Sequence, residues 1–111
     1  MRSLDIWTVD LVVSGPQVTK CLPWLSLEER DRAAKFKFDE HRREFIVSHG
    51  VLRTLLSRFA GIDPAAIEFS YGPNGKPRLK DGGLAVCFNM SHSEKLAVYA
   101  LTRGCEIGVD V

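Results

Sequence analysis

The chain has 111 residues, 45% of them hydrophobic, 26% charged and 9% aromatic, and a formal net charge of +1. That length allows one domain, or one half of something larger, burying roughly two-thirds of its unfolded surface. Its apolar content and balanced charge exclude a disordered chain. They also exclude a protein that wraps long stretches of nucleic acid, which needs a clear excess of Lys and Arg. A small local basic site remains compatible with the balance.

Uninterrupted apolar runs such as Leu84–Phe88 are short, far from the ~20 residues that span a bilayer. The N-terminal stretch MRSLDIWTVDLVV is interrupted by Asp5 and Asp10 and lacks a small-residue cleavage site, so a strand is expected rather than a signal peptide. Cys21, Cys87 and Cys105 are odd in number and widely spaced. They indicate neither a disulfide framework nor a zinc site. A reduced, cytoplasmic protein with no membrane and no nucleic-acid partner is expected, its cysteines serving as small core hydrophobes.

In chain order, Leu4–Val13 alternates loosely and is rich in β-branched residues, which predicts a strand. Ser14-Gly15-Pro16 ends it. Ser26 and Glu29 form a capping-box pattern that starts a short helix, with Phe36 and Phe38 as apolar anchors at its end. Asp39 is expected to cap a long helix running to about Gly61. On a helical wheel Phe45, Leu52, Leu55, Leu56 and Phe59 fall within roughly 100° and form a core stripe. Arg42, His49 and Arg53 lie within roughly 40° of one another. That strip reads equally as a basic surface for phosphate or an acidic protein and as a solvated face. Asp63-Pro64 starts one more helical turn.

From residue 67 the period becomes strand-like. Ile67–Tyr71, Leu84–Asn89 and Leu96–Thr102 read as strands, separated by the turn chemistry of residues 72–75 and 81–83. A hairpin is expected between Leu96–Thr102 and Glu106–Val111, closed around Arg103-Gly104-Cys105. Trp7 and Trp24 read as core or edge packing. The predicted fold class is α+β, an antiparallel sheet packed against a long helix. The chain stops at Val111 inside an apolar, β-branched run, from which missing sequence is expected.

Three clusters carry chemistry. Asn74-Gly75-Lys76-Pro77 combines a backbone open to close approach, a point charge and a fixed exit; alone it also reads as an ordinary turn. Phe88-Asn89-Met90-Ser91-His92-Ser93 places Asn, Ser and His where a strand ends, as donors for an anion. Alone it also reads as a strand-end cap. Gly104–Val111 carries Asp110, a hard oxygen donor suited to Mg²⁺, though a single Asp defines no metal site.

Taken together, GKP, FNMSH and IGVDV in this order resemble the 4'-phosphopantetheinyl transferases of the surfactin-synthetase-activating type. LSLEERDRAAKFKF resembles that family's early basic helix, and Arg53-Thr54-Leu55-Leu56 its LR.LL segment. The resemblance implies transfer of the phosphopantetheine arm of coenzyme A to a serine of an acyl or peptidyl carrier protein, with Mg²⁺ required and adenosine 3',5'-bisphosphate released. The biosynthetic context would be fatty acid, polyketide or nonribosomal peptide assembly. It places Asn74, Gly75 and Lys76 against adenine and the 3'-phosphate, Ser91 and His92 on the 3'-phosphate, Asn89 in support, Arg32 on phosphate and Asp110 on Mg²⁺.

The family's metal motif continues with Glu two residues after the Asp, which here would be position 112. Its second half, with a Lys-Glu motif and the general base, has no counterpart in the chain. The resemblance therefore implies that residues 1–111 form a single N-terminal half of a pseudo-twofold fold, inactive by itself and self-associating through an exposed half-interface. The small holo-acyl-carrier-protein synthases, built from single halves, fit less well because their metal-binding Asp lies near the N-terminus. Two alternatives stand beside this reading: a non-catalytic fragment that binds coenzyme A or a carrier protein, and an interaction domain with an accidental motif match.

Overall fold

The strand expected at the N-terminus forms over Leu4–Asp10 (β1), shorter than the sequence suggested. The computed structural model describes residues 4–11, 14–71, 77–79, 86–93 and 95–103. A helix that the sequence did not announce follows directly, over Gly15–Cys21 (α1), with Ser14 extended at its N-cap and Pro in its first turn. Pro there is pre-organised for a helix start, so the residues read as a strand terminator also begin a helix. Seven residues with only Val18 and Cys21 buried are too short to print a clear periodicity.

After a 3₁₀ turn at Leu22–Trp24, the capping box forms as expected. Ser26 Oγ accepts from Glu29 N and the Glu29 carboxylate accepts from Ser26 N, opening α2 (Leu27–Ala34). The long helix α3 runs from Asp39 to Ala60, with Gly61 in the left-handed conformation (φ 69°) closing it. A left-handed residue after the last turn is where glycine is favoured. Its N-cap is Phe38, and no side chain caps it; Asp39 is its first residue instead. There the Asp39 carboxylate pairs with Arg42 and Arg43, one turn on, in place of a backbone cap. Phe36 and Phe38 anchor little, being 42% and 60% exposed. The predicted helical turn appears as a 3₁₀ turn at Pro64–Ala66, with Asp63 accepting from Ala65 N.

Five strands are described in all. The short pair β2 (Phe69–Tyr71) and β3 (Pro77–Leu79) forms one antiparallel ladder, with Tyr71 opposite Pro77. β4 (Val86–Ser93) and β5 (Leu96–Arg103) form a hairpin, and β1 adds to the far side of β5. β4 extends four residues past the expected end at Asn89, because Asn89, Ser91, His92 and Ser93 pair in register with Ala100, Val98, Ala97 and Leu96. The expected hairpin between residues 96–102 and 106–111 is corrected: both edges of Leu96–Thr102 are already paired, one with β1 and the other with β4, so no edge is left for a further strand. Residues 106–111 lie outside the described residues, as do the turns at 72–75 and 81–83.

Directly opposed residues share a sheet face. Trp7, Tyr99 and Met90 form one row and Asp5, Leu101 and Phe88 the next. This face lies under α3. Tyr99 and Leu101 are fully buried with Leu52, Leu56 and Ile46 of the helix, and the Tyr99 hydroxyl donates to Ser48 O at 2.7 Å. Of the expected stripe, Leu52, Leu55 and Leu56 are buried, while Phe45 and Phe59 are half-buried against the core. The fold is therefore the expected α+β arrangement, an antiparallel sheet packed against a long helix. Trp24 packs on the core and Cys21 lies within it. Among the described residues no helix is long and apolar enough to cross a membrane.

Candidate functional site

Arg32 stands on the last turn of α2, three residues after Glu29, and is exposed. Its guanidinium lies over the Tyr71 ring, 4.9 Å from the centroid. Tyr71 and Pro77 are opposed across the β2–β3 ladder. They flank residues 72–76 in the chain; Asn74, Gly75 and Lys76 lie outside the described residues. Two sequence elements 39 positions apart thus converge.

The second cluster sits on β4. The strand does end within this cluster, but at Ser93 and not at Asn89, so Asn89, Ser91 and His92 lie inside β4. Alternation along the strand puts half-buried Asn89 and exposed Ser91 on the face opposite Phe88 and Met90. β4 is tied to β2 through an edge-to-face contact of Phe88 with Phe69, at 5.8 Å. Asp110 lies outside the described residues. Among the described residues no group of three His, Cys, Asp or Glu side chains could hold a metal.

The strip of Arg42, His49 and Arg53 is neither a phosphate-binding surface nor a solvated face. Arg42 pairs with Asp39 on the surface, whereas His49 and Arg53 are buried and turn toward Glu29. Arg53 donates from Nε to Glu29 Oε1 at 2.9 Å, and its Nη2 stands 2.6 Å from the same oxygen. His49 Nδ1 lies 3.3 Å from Glu29 Oε2. An ionised carboxylate only accepts, so Nδ1 carries the proton. The remaining guanidinium nitrogen, Nη1, donates to Pro64 O and Ile67 O, each at 2.8 Å. The plane of Arg53 rests over Phe69 at 5.0 Å, and His49 stacks on Phe45 at 4.0 Å.

Burial alone would push the Glu29 carboxyl up; the hydrogen bonds from His49, Arg53 and Ser26 and the charge of Arg53 outweigh it and hold the group at about 2. Glu29 is thus an anion with no solvent exposure, compensated by donors from two helices. The sequence carried a weak signal for this cluster. Arg53 lies only about 60° from Leu56 on the α3 wheel, at the edge of the core stripe, and an Arg there needs a buried acceptor.

An open cleft of about 450 Å³ lies between the start of α2 and β2, with Ser26, Leu27 and Glu28 on one wall, Phe69 and Tyr71 on the other and Arg53 at its floor. Burial and the negative charges of Glu29 and Glu28 push the Tyr71 phenol up, so it stays protonated and polar at neutral pH.

Residues 14–103 match a protein family described as 4'-phosphopantetheinyl transferase, N-terminal. The 4'-phosphopantetheinyl transferase HetI of Nostoc sp. (strain PCC 7120) is 36% identical over 110 residues, covering 97% of this chain and 46% of that protein. The 4'-phosphopantetheinyl transferase Sfp of Bacillus subtilis (strain 168) is 27% identical over 93% of this chain and 45% of its own length. The chain spans less than half the length of these relatives. Among solved structures, a holo-(acyl-carrier-protein) synthase from Bacillus anthracis str. Ames, in complex with CoA (3',5'-ADP), superposes with a TM-score of 0.64. It is 21% identical, and the match covers 90% of this chain and 93% of that one. The likeness supports the fold.

Proposed function

This chain belongs to the 4'-phosphopantetheinyl transferase family through its N-terminal domain, and on that premise we propose that it supplies one wall of a coenzyme A-binding transferase site. The observation that carries the reading is the convergence of Arg32 with Tyr71, the last described residue before 72–76. Both elements bear residues suited to a multiply charged anion. In the transfer, the carrier serine Oγ forms a new P–O bond to the phosphopantetheine phosphorus. The bond to the adenosine bisphosphate breaks, that group leaves, and the serine proton passes to a base. Such chemistry is mainly positioning and charge neutralisation.

In this reading Lys76, Asn74 and Gly75 meet the adenine and 3'-phosphate, Ser91 and His92 bind the 3'-phosphate, and Asn89 supports them. Arg32 supplies a further cation. Asp110 would supply one oxygen to Mg²⁺, which prefers carboxylate and phosphate oxygens and would neutralise charge on the pyrophosphate. One carboxylate does not complete such a site. A second half, of the size that the relatives possess in addition, would contribute the rest together with the general base. The partner is an acyl or peptidyl carrier protein, and the compartment cytoplasmic.

The test is calorimetric titration of coenzyme A and dephospho-coenzyme A, with Mg²⁺, against the 111-residue chain. Mass spectrometry of an apo carrier protein, incubated with and without the C-terminal half of a related transferase, completes it. Tighter binding of coenzyme A than of its dephospho form, and carrier modification only with the second half, are expected. Absence of binding in the first arm together with absence of modification in the second overturns the reading.

A further inference from the structure

The buried cluster of Glu29, His49 and Arg53 touches no position assigned above to ligand, yet it joins the elements that carry those positions. Arg53 is 1% exposed and Glu29 fully buried. One guanidinium reaches α2 through Glu29, the Pro64–Ala66 turn through Pro64 O, and the approach to β2 through Ile67 O. Its plane supports Phe69 on β2, which in turn meets Phe88 on β4 immediately before Asn89. Glu29 also bonds the first backbone N–H of the α2 cap, so the helix start and the guanidinium share one carboxylate oxygen.

Arg32 lies three residues beyond Glu29, on neighbouring faces of the same helix, and its contact with Tyr71 spans from α2 to β2. The cleft with Arg53 at its floor is the gap between those two elements. A side chain that bridges the bottom of a gap sets its width.

We propose that Arg53, acting through Glu29, is a positioning residue that fixes the separation of α2 from β2 and thereby holds Arg32 against Tyr71 at the end of β2. The planar fork is what the role requires. Lys carries the same charge but only a point donor, and cannot serve Glu29, Pro64 O and Ile67 O in one plane. The consequence for ligand selectivity rests on the coenzyme A reading; the geometric claim does not.

The test uses the 111-residue chain without ligand. Stacking under the Tyr71 ring shifts the Arg32 side-chain protons upfield in the NMR spectrum and gives Arg32–Tyr71 cross-peaks. In Arg53→Lys and in Glu29→Gln both signatures are expected to fall by at least half while the α3 resonances remain native. In Val18→Ala, a core truncation on α1 of the kind that lowers stability generally, both are expected to persist. Persistence in a folded Arg53→Lys or Glu29→Gln chain overturns the proposal, as does equal loss in Val18→Ala.

Should neither variant fold, acidification of the unmodified chain replaces them. The Arg32 shift must then follow protonation of Glu29, whose carboxylate faces Ser26 on α2 and His49 and Arg53 on α3; a shift indifferent to that titration overturns the proposal. In a second arm, the preference for coenzyme A over dephospho-coenzyme A is expected to fall toward unity in Arg53→Lys. An unmodified chain that shows no such preference counts against the coenzyme A reading alone and leaves the NMR result standing.

Discussion

Glu29 carries two tasks with one carboxylate: it closes the α2 capping box and neutralises Arg53 in the core. Its folded-state pKa of about 2 lies below the ordinary value of 4.5, so the stabilisation is complete above 4.5 and is lost as the pH falls from there toward 2. The gap corresponds to at most about 3 kcal/mol. Urea unfolding across that window should show stability falling with acid, and Glu29→Gln should flatten the dependence. The same substitution leaves Arg53 without its counter-charge, and cutting one partner from a buried pair costs about 3–5 kcal/mol. His92 carries a different expectation. If its imidazole meets the 3'-phosphate, His92→Ala should weaken coenzyme A by about 1.5–3 kcal/mol and leave dephospho-coenzyme A nearly unchanged. Equal losses in a calorimetric titration would remove that role.

α1 packs tightly against α3 at Gly50. A Cβ at Gly50 would stand 2.6 Å from both Cβ and Sγ of Cys21. Glycine in a helix interior costs about 1 kcal/mol relative to alanine, so Gly50 is kept for contact and not for helicity. Gly50→Ala should therefore destabilise despite its better propensity, since overpacking costs about 1–3 kcal/mol. A lowered thermal midpoint checks this. Adding Cys21→Ala should recover only the share due to Sγ, because the Cys21 Cβ stands equally close. Burial also raises the Cys21 thiol pKa, so this cysteine packs as a small hydrophobe. Of the helices, α2 and α3 were legible in the sequence because capping chemistry and a 22-residue periodicity are local signals. α1 was not, because its only buried positions, Val18 and Cys21, acquire meaning from the α3 surface they meet.

At the scale of the molecule, the sheet has one face under α3 and another without a described cover. On that second face Ile6 is 64% exposed and opposes Ala100, and Leu96 is 42% exposed at the hairpin end. Antiparallel sheets that face water are normally polar on that side, and apolar side chains left there favour association. Light scattering over a concentration series should show the chain self-associating, and Ile6→Thr should shift it toward monomer. A sharply monomeric parent would contradict the expectation.

The order of motifs, the capping box, the Gly61 stop and the α+β class follow from side-chain chemistry acting over a few residues, and the amino-acid sequence alone determined them. Whether His49 and Arg53 face water or the core was decided only in three dimensions. Their wheel positions are compatible with both, and the deciding partner, Glu29, lies 20 and 24 residues away on another helix. The same holds for the continuation of β4 through Ser93, whose polar residues look like a strand end until β5 supplies a ladder of partners. Arg32 shows both halves of the lesson. Its charge could be read from the chain, but its place over Tyr71 depends on a buried guanidinium that spans α2, the Pro64–Ala66 turn and the approach to β2.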